Sequence, residues 1–73
     1  MIKGLDNVVL VVDLPNQGLV QGDVGTVVLT HGSEGYEVKF IALDGETVAV
    51  VSLAPDQVRS IGQLEIANAR PML

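Results

Sequence analysis

Apolar residues in this chain come in short bursts rather than at helical spacing. Val8-Val9-Leu10-Val11-Val12 is the longest unbroken run; Val27-Val28-Leu29, Phe40-Ile41-Ala42-Leu43 and Val48-Ala49-Val50-Val51 follow it. The bursts are rich in Val and Ile and are punctuated by Gly, Pro, Asn and Asp, the grammar of strands and turns. This pattern predicts five strands, at about Asn7 to Asp13, Val24 to Thr30, Tyr36 to Leu43, Glu46 to Leu53 and Val58 to Ile61.

The residues between them specify turns. Pro15-Asn16 with Gly18 opens a long first loop that runs on through Gly22-Asp23. Asp23 can bond backbone donors of that turn. Gly25 sits just inside the next strand, where a glycine marks a bulge or a close backbone approach. His31-Gly32-Ser33-Glu34-Gly35 reads as a hairpin loop. Asp44-Gly45 reads as a two-residue hairpin turn, since both positions readily take positive φ. Ala54-Pro55-Asp56-Gln57 reads as one turn of 3-10 helix, with Pro55 at a position that needs no donor.

Five short strands, a long first loop, two tight hairpins and a 3-10 turn before the last strand describe an all-β fold, a small five-stranded SH3-like barrel. An OB-fold, the rival, needs a longer chain and often a helix between its strands. Residues 1–62 make the barrel and 63–73 a C-terminal tail, packed or disordered. In the tail, Leu64, Ile66 and Ala69 can pack as an extra strand or short helix.

Alternation exposes an anomaly. A strand with one face in water alternates apolar and polar residues. The third strand does: Tyr36, Val38 and Phe40 fall on one side, Glu37 and Lys39 on the other. The first does not, with Val8, Leu10 and Val12 on one side and Val9 and Val11 on the other. The fourth sets Val48 and Val50 against Ala49 and Val51. Both faces therefore need cover, from barrel closure, from the tail through Leu64 and Ile66, or from a partner subunit. Val9, Val11, Ala49 and Val51 are the candidate interface residues, and a homo-oligomer is expected if the partner is a second copy.

Size and composition narrow the function. Seventy-three residues make one domain, which buries only roughly 60% of its unfolded surface. There is no cysteine, so neither a disulfide nor a thiolate is available. The longest apolar run is far short of the roughly 20 residues of a membrane helix. Asp6 and Asn7 interrupt the N-terminus before any signal-like stretch, so a cytoplasmic, non-membrane location is expected. Nine acidic against four basic residues give a net charge of −5, which opposes a nucleic-acid backbone and suits a basic protein partner.

Chemistry-bearing constellations are sparse. "GDVGTVV" lacks the lysine and following helix of a phosphate-binding loop. His31, the one histidine, has Glu34 nearby, but two ligands do not make a protein zinc site. A nucleophile would lack its helpers. The acid pairs Asp44/Glu46 and Glu34/Glu37 read as hairpin and solvent-face residues. Tyr36 and Phe40 are the only aromatics and read as core, leaving no aromatic groove for polyproline or single-stranded nucleic acid. No catalytic residue, metal, cofactor or small-molecule substrate is expected. Gly22, Asp23, Gly25, Asp44 and Gly45 carry structural turns.

"GDVGTVV", "YEVKF", "DGETVAVVSL" and "APDQVRSI" together resemble a family of small bacterial domains of unknown function, across about Asn7 to Ile61. The resemblance implies an SH3-like barrel and carries no assigned activity. More distantly, the glycine corner and "APDQVRSI" are similar to other SH3-like barrels: the small extrinsic photosystem subunit, the nitrile hydratase β-subunit barrel and KOW modules. These share a fold and differ in function.

The expected function is non-enzymatic protein–protein interaction, of the antitoxin or immunity type, with acidic charge steering the chain onto a basic protein. The alternatives are a KOW-like nucleic-acid-binding module and an accessory subunit of a larger enzyme.

Overall fold

Strands form where β-branched residues collect between turn formers. In the computed structural model, which describes residues 2–61, 65–66 and 69–71, these are β1 (Asn7–Leu10), β2 (Val24–Thr30), β3 (Tyr36–Ile41), β4 (Thr47–Leu53) and β5 (Val58–Ser60). Three single 3-10 turns, Pro15–Gln17, Gly32–Glu34 and Pro55–Gln57, lie in the connections. The strands form one antiparallel sheet in the order β4-β3-β2-β1-β5. Consecutive strands pair, except that β5 returns to the far side of β1.

The first strand stops at Leu10, two residues before its apolar run ends and three before the expected Asp13. Val11 donates its N–H to Gln57 O, at the 3-10 turn rather than along a neighbouring strand. The chain then turns into the first loop, whose base Leu14 and Leu19 close by exchanging backbone hydrogen bonds. Pro15 starts the 3-10 turn inside the loop and Gly18, in the left-handed region, ends it. At Pro55–Gln57 the Gln57 side chain reaches back and accepts the Ala54 N–H at 2.8 Å.

The β3–β4 hairpin differs from the expected two-residue turn. Ala42 donates to Glu46 O, so the loop is Leu43-Asp44-Gly45. Only Gly45 takes a positive φ (92°); Asp44 instead accepts the Glu46 N–H on its side chain. This is the three-residue solution, a turn followed by one left-handed residue.

Two register shifts account for the doubled apolar faces of β2 and β4; in β1, which has none, Val8, Val9 and Leu10 are all buried because the strand lies inside the sheet between β2 and β5. Val27 pairs with Val38 and Leu29 with Glu37, which leaves Val28 as an extra residue in β2. Phe40 pairs with Ala49 and Ile41 with Thr47, which leaves Val48 extra in β4. Each bulge reverses the inside–outside phase of its strand, so neighbouring apolar residues need not alternate.

The core lies on the concave side, where Val8, Leu10, Leu19, Val27, Val38, Phe40, Leu53 and Val58 form one buried cluster. A fully buried aliphatic side chain of this kind contributes about 1.5–3 kcal/mol. Gly25, expected at a bulge or a close approach, is the latter; neither bulge falls on it. A Cβ there would stand 2.5 Å from Val38 Cγ1 and 2.9 Å from Phe40 Cε1. The missing side chain lets the Phe40 ring lie over β2.

The tail holds on through charge. Arg59 makes a two-pronged pair with Glu65 at 2.5 and 2.7 Å, and Arg70 reaches back to Asp23. Ile66, expected to pack, is 93% exposed, and Leu64 lies outside the described residues. Among the described residues no helix is long and apolar enough to cross a membrane.

Candidate functional site

The turn at Val20–Asp23 is built by its own backbone. Asp23 N–H donates to Val20 O, and Gly22 takes φ 98° at the third position, as a type II turn requires. Gly22 N–H also donates to Leu10 O, and Leu10 N–H to Asp23 O, which fastens the turn to the end of β1. The Asp23 carboxylate accepts the Val20 N–H at 3.0 Å. It also takes the Arg70 guanidinium, Nε on Oδ1 at 2.8 Å and Nη2 on Oδ2 at 2.6 Å; the same Nη2 lies 2.9 Å from Gly18 O. Arg70 thus bridges the first loop, the turn and the tail. Its hydrogen bonds hold the Asp23 carboxyl below the usual carboxylate range, against the opposing effect of burial.

Beside this pair opens a hollow of about 440 Å³. Leu19, Val24, Phe40, Leu43 and Val48 give it apolar walls, and Asp23 and Arg70 stand at its rim. The two charged groups already satisfy each other, so the hollow presents no free polar anchor from that pair.

The second cluster sits on the convex face of the β2–β3–β4 sheet. Glu37 of β3 lies in register between Leu29 and Ser52. Its Oε2 accepts the Ser52 hydroxyl and lies 3.0 Å from His31 Nε2. The Ser52 hydrogen bond chiefly, then that of His31, holds the Glu37 carboxyl below its ordinary range. The nesting is Ser–Glu–His, with the acid as shared acceptor. A hydrolytic triad nests the imidazole between hydroxyl and acid, so that the ring takes the hydroxyl's proton. The His31 ring, expected near Glu34, pairs with Glu37 instead; Glu34 meets His31 through its backbone N–H, which donates to His31 O. Among the described residues no group of three or more His, Asp or Glu is placed to hold a metal ion.

Of the four candidate interface residues, Val9 is 7% exposed, in register between Val24 and Arg59. Val11, Ala49 and Val51 are half-buried, and Ala49 and Val51 pack against the core. Apolar surface is open elsewhere. Alternation puts Glu37, Lys39 and Ile41 on the convex side of β3; Leu29 and Val50, their neighbours in β2 and β4, are 53% and 55% exposed. Val28 is thrown outward at its bulge, and Leu43 stands clear at the hairpin tip. The signal for this face was present as the Val27-Val28-Leu29 and Val48–Val51 runs, but the bulges decide which members point out.

Among the described residues, the ion pairs within the molecule take up its arginines but not its lysines. Arg59 and Arg70 are consumed by Glu65 and Asp23. The two lysines form no ion pair among the described residues, and the remaining acids face them in excess. The chain's formal net charge is −5.

These features define a small all-β domain on a five-stranded antiparallel sheet, with a 3-10 turn before its last strand. The chain belongs to the family described as Domain of unknown function (DUF4926), whose model matches residues 5–60. No curated protein and no solved structure matches it.

Proposed function

We propose that the chain is a non-enzymatic binding module of SH3-like barrel type, which docks a basic protein through its convex β2–β3–β4 face. The strand order β4-β3-β2-β1-β5 with a 3-10 turn ahead of β5 supports the barrel reading. The observation that carries the docking reading is the open set Leu29, Ile41 and Val50 on a sheet face inside a net-negative surface. Exposed aliphatic groups supply holding energy, and the acidic field supplies encounter rate and choice of partner. A toxin-neutralising or immunity-type role fits that chemistry, since a nuclease-like target presents a basic surface.

The test is capture from native lysate on the tagged chain, with Leu29→Lys run in parallel. The expected result is a stoichiometric basic protein held by the wild type and lost from Leu29→Lys at an unchanged thermal midpoint. Recovery of the bait alone, or equal capture by both, overturns the reading.

A further inference from the structure

The two edges of the sheet are unlike. β5 is three residues long and carries Arg59. β4 is seven residues long, Thr47-Val48-Ala49-Val50-Val51-Ser52-Leu53, with no charge and no proline. Edge strands in soluble proteins are ordinarily blunted by shortness, lysine, proline or a bulge; β4 has only the bulge at Val48, near its start, and Ala49–Leu53 runs on in regular register. It pairs with β3 on one side only. Among the described residues, no backbone hydrogen bond outside that pairing involves Thr47–Leu53. Every second N–H and C=O along the other side of β4 thus faces outward, a ready template for one more strand.

The ends of β4 decide what that strand is. Asp44 and Glu46 precede it in the hairpin, and Asp56 follows it in the 3-10 turn. A second copy pairing antiparallel about Val50 would bring the Asp44–Glu46 end of one chain to the Asp56 end of the other. Like charges would meet at both ends of the new ladder. A foreign strand with basic flanks meets the opposite sign at both.

We propose that β4 is a strand-addition site for an extended, β-branched segment of a partner protein flanked by Lys or Arg. This deepens the docking reading and rests on it for the partner's basic character. The added strand would lie beside Val50, so one partner engages edge and face together. Main-chain bonds supply affinity, and the acidic ends select the segment and oppose self-pairing.

The test uses the full chain, isotope-labelled, and a capped peptide Lys-Lys-Thr-Val-Thr-Val-Thr-Lys-Lys, with the same peptide bearing Glu for Lys as control. The expected result is slowed amide exchange and shifted resonances along Thr47–Leu53, weakening with added salt. The Glu peptide should bind about tenfold more weakly or less, and so should the Lys peptide to the double variant Asp44→Lys, Asp56→Lys. No binding at millimolar peptide, protection at β5 in place of β4, or equal binding of both peptides overturns the proposal, as does a wild-type dimer paired through β4. Failure here with Leu29-dependent capture intact removes the strand-addition site and leaves the docking face. Loss of Leu29-dependent capture with β4 still protected by the peptide does the reverse.

Discussion

Arg70 grips Asp23 with two charge-assisted hydrogen bonds, at 2.8 and 2.6 Å, across a separation of 47 residues. The pair ties the C-terminal segment to the turn that starts β2, and Arg70 adds a bond to Gly18 O in the first loop. Asp23→Ala removes the acceptor of both Arg70 and the Val20 N–H, and should destabilise the fold by about 1–2 kcal/mol. Arg70→Ala leaves the Val20 bond in place and should lower the thermal midpoint less. Equal midpoints for wild type and Asp23→Ala would show that the latch does not contribute. The sign of the pH effect follows from the lowered carboxyl. Asp23 adds stability above its unfolded pKa, about 3.9, and that stability drains away as pH falls through the lower folded value. Denaturant midpoints should therefore fall more steeply below about pH 4 in the wild type than in Asp23→Asn.

Gly25 and Phe40 share one volume. A methyl group at position 25 would overlap Val38 Cγ1 and press on the Phe40 ring. Gly25→Ala should cost about 1–3 kcal/mol through overpacking, although alanine is otherwise the better strand residue. Adding Phe40→Leu to it should recover part of that loss relative to the sum of the single changes. Strict additivity in a denaturant double-mutant cycle would place the strain elsewhere.

Glu37 collects two donors on one oxygen. Because the Ser52 hydroxyl is the larger cause of its lowered pKa, Ser52→Ala should raise the Glu37 titration midpoint more than His31→Ala does. Carboxyl-carbon NMR titration reads both. The linkage runs as for Asp23: the bonds stabilise the fold above the unfolded glutamate value of about 4.3 and cease to do so as pH falls through the folded one. The residue is solvent-accessible, so the stability effect is small and the resonance shift is the discriminating readout. A Glu37 midpoint unmoved by Ser52→Ala would mean the hydroxyl does not point there in solution.

Local chemistry made the strands legible. β2 runs Val24–Thr30 as its residues predict, because Asp23 and His31 bound a β-branched run with no ambiguity of period. The 3-10 turn at Pro55 was equally plain, since proline and the following polar residues dictate it. What stayed hidden depends on distance or on phase. Nothing local marks Arg70 as the partner of Asp23, because that pair exists only once the tail returns to the first loop. Leu43 joins the Asp44-Gly45 turn because Ala42 and Glu46 close the hairpin, a choice fixed by the β4 bulge two residues on. The doubled apolar runs did point to open surface. In β2 and β4 the bulges at Val28 and Val48 decide which residues point out, and they set Ala49 and Val51 on the core side with Val50 opposite; β1 carries no register shift, and Val9 is covered there because its strand lies between β2 and β5.

That difference in placement gives a sharp contrast between two substitutions. Val9 is buried between Val24 and Arg59, and Val9→Asp would strand a carboxylate where water does not reach it. Its cost should approach several kcal/mol, a large share of the roughly 5–15 kcal/mol that holds a small domain folded. Val50 is 55% exposed on the convex face, so Val50→Lys should change the thermal midpoint little while removing partner capture. Circular dichroism melts of the two variants, with capture from the same lysate, separate the possibilities. A folded Val9→Asp would mean that position 9 is open in solution. An unfolded Val50→Lys would mean that the β4 surface is covered within the chain itself, and the docking face would have to be sought elsewhere.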